Sequence, residues 1–136
     1  MNVLPDAIKP CLQGASPGTI TTIGPDGRPN ITFISQAWWV DGEHVAISQQ
    51  FFNKTAKNVR RNPRAALFLI DPTNFAHWLL DAEFERSETE GSLYDEMAMQ
   101  LEVVASMTGM SDVFHLLAAD VFRIRSVQCI DPLAEG

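Results

Sequence analysis

The sequence predicts a mainly β domain, an antiparallel barrel of six strands with helices inserted at two places. Three observations point there. β-branched and apolar runs recur along the chain between Gly/Asp/Pro turns. Tight turns at Asp26-Gly27 and Asp41-Gly42 join consecutive runs as hairpins. Helical periodicity appears in only a few short segments, whereas a parallel α/β sheet would need a helix after nearly every strand. G-x-G-x-x-G and P-loop signatures are absent, so the commonest glycine phosphate cradles are excluded.

The elements follow in order. Residues 4–12 suit a short helix ending near Gly14. "PGTITTIGPDGRPN" is a strand running into a turn, and "NITFISQAWWV" is read as one second strand. "VDGEHVAISQQF" adds a hairpin and a third strand. "NKTAKNVRRNPR" is a short helix with Asn53 as N-cap, and it stops before Pro63. "RAALFLID" is a continuous apolar run, the pattern of a strand covered on both faces. "AHWLLDAEFERSETE" alternates with period two, with Trp78, Leu80, Ala82 and Phe84 on one face and His77, Leu79, Asp81, Glu83 and Glu85 on the other. Residues 92–107 form a helix with Leu93, Met97, Leu101 and Val104 on one stripe, and a second helical turn spans 111–118. "DVFRIRSVQCI" closes the barrel, Phe122 and Ile124 alternating with Arg123 and Arg125.

The 136 residues are read as a single domain, 1–136, with 46% apolar content and a net charge of −7. That charge disfavours general nucleic-acid binding, which needs a broad basic face. No apolar run approaches the length of a membrane span. The N-terminus lacks the basic flank and apolar block of a signal peptide. Two cysteines make no disulfide framework, and free buried thiols in a reducing cytoplasm are the expectation. His44, His77 and His115 are too scattered for a metal site, and Asp81, Glu83 and Glu85 are read as a solvated sheet edge. The methionines of the 92–107 helix are packing filler.

Against this acidic background, five of the ten Lys and Arg residues (Lys54, Lys57, Arg60, Arg61 and Arg64) fall within eleven positions. Local sequence leaves two readings open. The stretch is a solvated basic helix face, or it is an anion site. In the second reading, first-turn N–H groups and the positive helix end act with Lys54 and Thr55, while Lys57, Arg60 and Arg61 point to water.

The order strand, turn, strand, "DG" hairpin, strand, "N-K-T-x-x-N-V-x-x-N-P-R-A" and apolar strand resembles the pyridoxamine 5'-phosphate oxidase-like FMN-binding split-barrel family, from Gly18 to Ile130. The resemblance implies a split barrel and FMN as cofactor. It places the flavin phosphate at Asn53, Lys54 and Thr55, the isoalloxazine along Thr32, Phe33, Ile34 and Ser35, the ribityl side at Ser48 and Gln49, and a further flavin contact at His77. Relatives carry Lys or Arg at the position of Thr55 and Arg near Thr32, so two cations are missing here. Electrons would pass from reduced nicotinamide through the flavin to a small acceptor. The resemblance also leaves a non-catalytic sensor module open, and haem or a deazaflavin in the same groove. Nothing basic follows Arg125, where the oxidase itself holds its substrate phosphate, so pyridoxamine 5'-phosphate oxidase activity is not expected. A homodimer is expected, its seam bearing Trp38 or Trp39 and the face of Trp78 and Leu80, with no nucleic-acid or membrane partner.

Overall fold

The structure is a computed structural model; it describes residues 3–14, 17–49, 54–107, 109 and 116–130. Among the described residues eight strands form one antiparallel sheet: β1 (Gln13–Gly14), β2 (Gly18–Ile23), β3 (Pro29–Phe33), β4 (Ala37–Asp41), β5 (His44–Gln49), β6 (Arg64–Ile70), β7 (His77–Glu88) and β8 (Ala118–Ile130). Two α-helices are inserted, α1 (Lys54–Arg61) and α2 (Ser92–Met107), and Asp6–Leu12 is a 3₁₀ helix. The strand order is β1-β4-β5-β8-β7-β6-β2-β3.

Two strands were not in the sequence reading. One is the two-residue β1. The other arises because "NITFISQAWWV" is two strands: β3 pairs with β2, whereas β4 pairs with β5. β3 ends one side of the sheet order, and β4 lies next to the other end. The segment Ile34–Gln36 therefore carries the chain across the split of the barrel. It is tied on both sides. Ile34 N–H donates to Gly18 O (3.2 Å) and Ser48 N–H to Gln36 O (3.4 Å). The buried Gln36 side chain donates from Nε2 to Met97 O (3.2 Å) and to Gln100 Oε1 (2.7 Å), which fixes the crossing to α2.

The main core lies between the inward faces of the strands and includes Ile20, Val45, Leu67, Leu69, Leu80, Phe122 and Ile124. A second cluster, with Met97, Leu101, Ala46 and Val121, packs α2 onto the sheet. Met97 is core as expected, but Met99 and Met107 are exposed. Val104's side chain and the second helical turn, apart from its last residues, lie outside the described residues. Leu116 and Leu117 are not helical, and β8 starts at Ala118.

Strand faces correct three expectations. Trp78 (7% exposed) and Leu80 (0%) look into the core, so they form no seam. Trp39 packs on the main core beneath Lys9 Nζ, 4.7 Å from its ring centroid, and Trp38 packs on the α2 cluster. β6 is covered on one face only: Ala65, Leu67 and Leu69 are buried, whereas Ala66, Phe68 and Ile70 are half-exposed. β7 is no edge; it lies between β6 and β8. Its acids pair instead, Asp81 with Arg64 (2.9 Å) and Glu83 with Arg125 (3.1 Å).

His44 links the β4–β5 hairpin to β7. Its Nδ1 lies 2.8 Å from Asp41 Oδ1 and its Nε2 3.2 Å from Glu85 Oε2. Burial pushes its pKa down, but the hydrogen bonds to the two carboxylates outweigh that and hold it above the ordinary value. A raised histidine contributes stability in full below its unfolded pKa of about 6.5 and loses it as pH rises through the folded pKa. The stability gap between wild type and His44→Gln in urea denaturation is therefore expected to be larger at about pH 6 than at about pH 9. An equal gap at both would contradict the ion pairs.

The two cysteines differ, contrary to the expectation that both are buried. Cys129 is exposed and Cys11 is buried. Burial, followed by the charge interactions with Asp71 and Cys129, pushes Cys11 up to about 12. Because the thiolate is the reactive form, a thiol reagent is expected to label one cysteine per native chain and two after denaturation. Two labels on the native protein would show that Cys11 is accessible. No helix of the described residues is long and apolar enough to cross a membrane.

Candidate functional site

The split creates a site because it ends hydrogen bonding without ending the strand. Among the described residues β3 pairs only with β2. The Ile34–Gly18 bond sets the antiparallel alternation, so Thr32 and Asn30 turn their backbone groups toward β2. Ile31 and Phe33 turn theirs away from it, toward no strand.

A groove of about 210 Å³ lies at this opening. Thr32, Phe33, Ile34 and Ser35 form one wall, Ser48 and Gln49 the end of β5, and Thr55 the first turn of α1. Ile20, Ile47 and Phe122 supply an apolar floor. Seven of the residues singled out from sequence thus come together from three separate parts of the chain. The other three do not join them. Lys54 lines a neighbouring groove. His77 lines neither groove; it stacks edge-on against Phe68 at 5.2 Å on the outer sheet face. Asn53, the expected N-cap, lies outside the described residues.

Asp120 is a site residue that the sequence reading missed. It is 7% exposed and borders the groove. Gln49 Nε2 donates to both its oxygens (3.1 and 2.9 Å), and Ser87 Oγ donates to Oδ1 (2.5 Å). Three hydrogen bonds from two donors satisfy the buried carboxylate. They also fix the Gln49 amide, so that its Oε1 is the group left to meet a ligand. A signal was present: period two puts Asp120 on the same face of "DVFRI" as Phe122 and Ile124, an acid on a core face. Asn30 on β3 closes the α1 end, with Nδ2 donating to Thr55 Oγ1 (3.1 Å).

α1 is held against β2 by its buried side, Ala56, Asn58 and Val59. Asn58 Nδ2 donates to Thr22 Oγ1 (3.0 Å) in the interior. The helix start is thereby fixed at the groove, and first-turn N–H groups have no acceptor within the helix. Among the described residues no group of His, Cys, Asp and Glu could hold a metal ion.

No curated protein matches the chain in sequence. Solved structures match it in fold. An FMN-binding protein from Syntrophomonas wolfei has a TM-score of 0.69 at 16% identity, over 83% of this chain and 76% of the other. An F420 reductase has a TM-score of 0.63 at 18% identity, over 92% and 98%. The haem-storage protein HutZ from Vibrio cholerae has a TM-score of 0.59 at 17% identity, over 94% of each chain. At such identities the likeness is one of fold, and it is to split-barrel proteins. The sequence model of the pyridoxamine 5'-phosphate oxidase family matches residues 4–127. With nearly the whole chain covered and the split barrel in place, the chain belongs to the pyridoxamine 5'-phosphate oxidase family.

Proposed function

We propose that the groove at the split binds FMN and that the protein is a flavin-dependent oxidoreductase. The observation that carries this reading is the meeting of Thr32–Ser35, Ser48–Gln49 and Thr55 around one opening. A flavin needs an apolar surface for its ring, amide-like partners for its pyrimidine edge, hydroxyls along its ribityl chain and donors for its phosphate. The residues present suit each demand. Ile20, Ile47 and Phe122 offer the surface and exclude water. The backbone of Phe33, turned away from β2, and the fixed Gln49 amide offer the partners. Ser48 and Thr32 offer hydroxyls. Thr55 and the first turn of α1, with Lys54 beside them, offer the phosphate site.

When bound, the flavin supplies two-electron transfer from reduced nicotinamide to a small acceptor. The chain's own residues bind it, orient it and keep water from one face. Their neutral hydroxyls and amide, with Asp120 already triply hydrogen-bonded, give no side chain a clear task as acid or base. Family membership and the FMN-binding neighbour support this reading. The F420 reductase and HutZ show the same fold associated with other cofactors, and visible absorption separates a flavin from a haem. Titrating apoprotein with FMN and with riboflavin tests the reading directly. Saturable quenching of flavin fluorescence at micromolar FMN is expected, followed by nicotinamide-dependent bleaching of the bound flavin. No saturable change would overturn FMN binding, and binding without bleaching would leave a sensor. A cytoplasmic setting, where both thiols stay reduced, belongs to the same proposal.

The homodimer is proposed on a different face from the one expected. Phe33, Thr19, Phe68 and Leu79 are successive partners across β3, β2, β6 and β7 on the outer face. Phe33 is 87% exposed and Ile31 66%. Such an apolar patch favours a partner, and a two-fold seam here would bring the second copy beside the groove through Phe33. Light scattering is expected to give twice the chain mass of 15.1 kDa. The monomer mass at all concentrations would remove the proposal.

A further inference from the structure

The basic stretch builds a second groove, larger than the first, of which the flavin reading uses only Lys54. Lys54, Lys57 and Arg61, at spacing i, i+3 and i+7, share one face of α1. Arg28 and Asn30 face them from the β2–β3 hairpin across a space of about 640 Å³. The wall is organised from within. Asn58 is 4% exposed and anchored to Thr22, and its Oδ1 accepts a hydrogen bond from Arg61 Nη2 (3.3 Å), which holds the guanidinium in place.

The charge balance is unusual for this chain. Arg28, Arg64, Arg86 and Arg125 each pair with an acid. Among the described residues Lys54, Lys57 and Arg61 have no acid partner, and Asp26, already paired with Arg28, is the one carboxylate among the residues lining the groove. Like charges at these spacings repel, and an anion held between them removes the repulsion. An Arg fork flanked by ammonium groups suits the several oxygens of a phosphoryl group. The net charge of −7 argues against a long nucleic acid as the occupant.

We propose that this groove is a second anion subsite, for a phosphoryl group carried by a small molecule. It stands back to back with the flavin groove: Asn30 lines one, Thr55 the other, and their side chains are hydrogen-bonded. Two sources share this chemistry. One is a further phosphate arm on the flavin itself, as in FAD. The other is a separate phosphorylated molecule bound alongside.

The test compares wild type with the Lys57→Ala/Arg61→Ala double variant at low ionic strength, where surface charge is least screened. Both substituted side chains are exposed, so the variant is expected to stay folded, with a melting temperature lowered by no more than loss of the Arg61–Asn58 bond, and to keep the wild-type FMN affinity. Inorganic pyrophosphate is titrated calorimetrically into apoprotein and into FMN-loaded protein, and FAD is compared with FMN. The apoprotein titration uses no flavin, so its failure is distinct from failure of FMN binding. Loss of two charge-assisted contacts should weaken pyrophosphate by roughly tenfold or more. An FAD advantage over FMN that disappears in the variant assigns the group to the flavin. Pyrophosphate binding to FMN-loaded wild type without any FAD advantage assigns it to a separate molecule. Equal pyrophosphate affinity in both proteins, with an unchanged FAD-to-FMN ratio, overturns the subsite.

Discussion

Replacing Phe122 by alanine is expected to destabilise the protein by about 3–5 kcal/mol, the range for truncating a buried aromatic ring. Phe122 is 1% exposed, and its ring meets Phe84 edge-on at a centroid distance of 5.6 Å. It also sits on β8 between β5 and β7, so its removal opens a space shared by three strands. Against a total stability of about 5–15 kcal/mol for an ordinary domain, this is a large fraction. The same ring floors the groove proposed for the flavin, so FMN affinity should fall together with stability. Phe122→Leu keeps most of the volume and should cost far less on both measures. Urea denaturation of the two variants checks this. A loss below about 1 kcal/mol for the alanine variant would mean that the core collapses around the gap, and that Phe122 is not the shared wall described above.

Lys54→Ala is expected to weaken FMN by roughly 10- to 150-fold, the equivalent of about 1.5–3 kcal/mol for a hydrogen bond to a charged group. Riboflavin, which has no phosphate, should change little. Thr55→Ala should cost less, because a neutral hydroxyl contributes only about 0.5–1.5 kcal/mol. Lys54 lines the neighbouring basic groove and Thr55 the flavin groove. The pair of variants therefore asks which side of the Asn30–Thr55 bond the flavin phosphate takes. Equal losses for FMN and riboflavin with Lys54→Ala, or none, would remove Lys54 from the flavin phosphate site and leave it on a solvated helix face. Fluorescence titration of each variant with both ligands is sufficient.

Local pattern carried much of the fold. The 92–107 helix and the stop of α1 before Pro63 follow from periodicity and from proline's effect on its predecessor, both of which act within a few residues. The break of "NITFISQAWWV" at Ile34–Gln36 does not, because strand propensity runs through it and only the pairing partner changes. Alternation in β7 separated Trp78 and Leu80 from His77 and Leu79, but alternation defines two faces without saying which one looks inward. That choice is made by closure of the barrel, and it reversed the expected seam. The candidate site was legible where residues sit close to α1 along the chain or on the strand before it. Asp120 reaches the groove from β8, 71 positions beyond Gln49, and such meetings depend on the strand order alone. Arg28 joins the basic helix face for the same reason.

The crossing at Ile34–Gln36 has a thermodynamic consequence. A complete barrel would seal β3 to its neighbour by backbone bonds; here that stretch is left for a ligand to span. An occupant touching β3, the end of β5 and the start of α1 acts as a mechanical clasp across the least-bonded line of the sheet. Its binding energy then adds to the free energy of opening that line, by RT ln(1 + [L]/Kd), about 2.7 kcal/mol when ligand is at a hundredfold excess over Kd. Hydrogen exchange should report it locally, with the amides of β3 and of residues 34–36 slowed by ligand far more than those of β7, which is bonded along both edges.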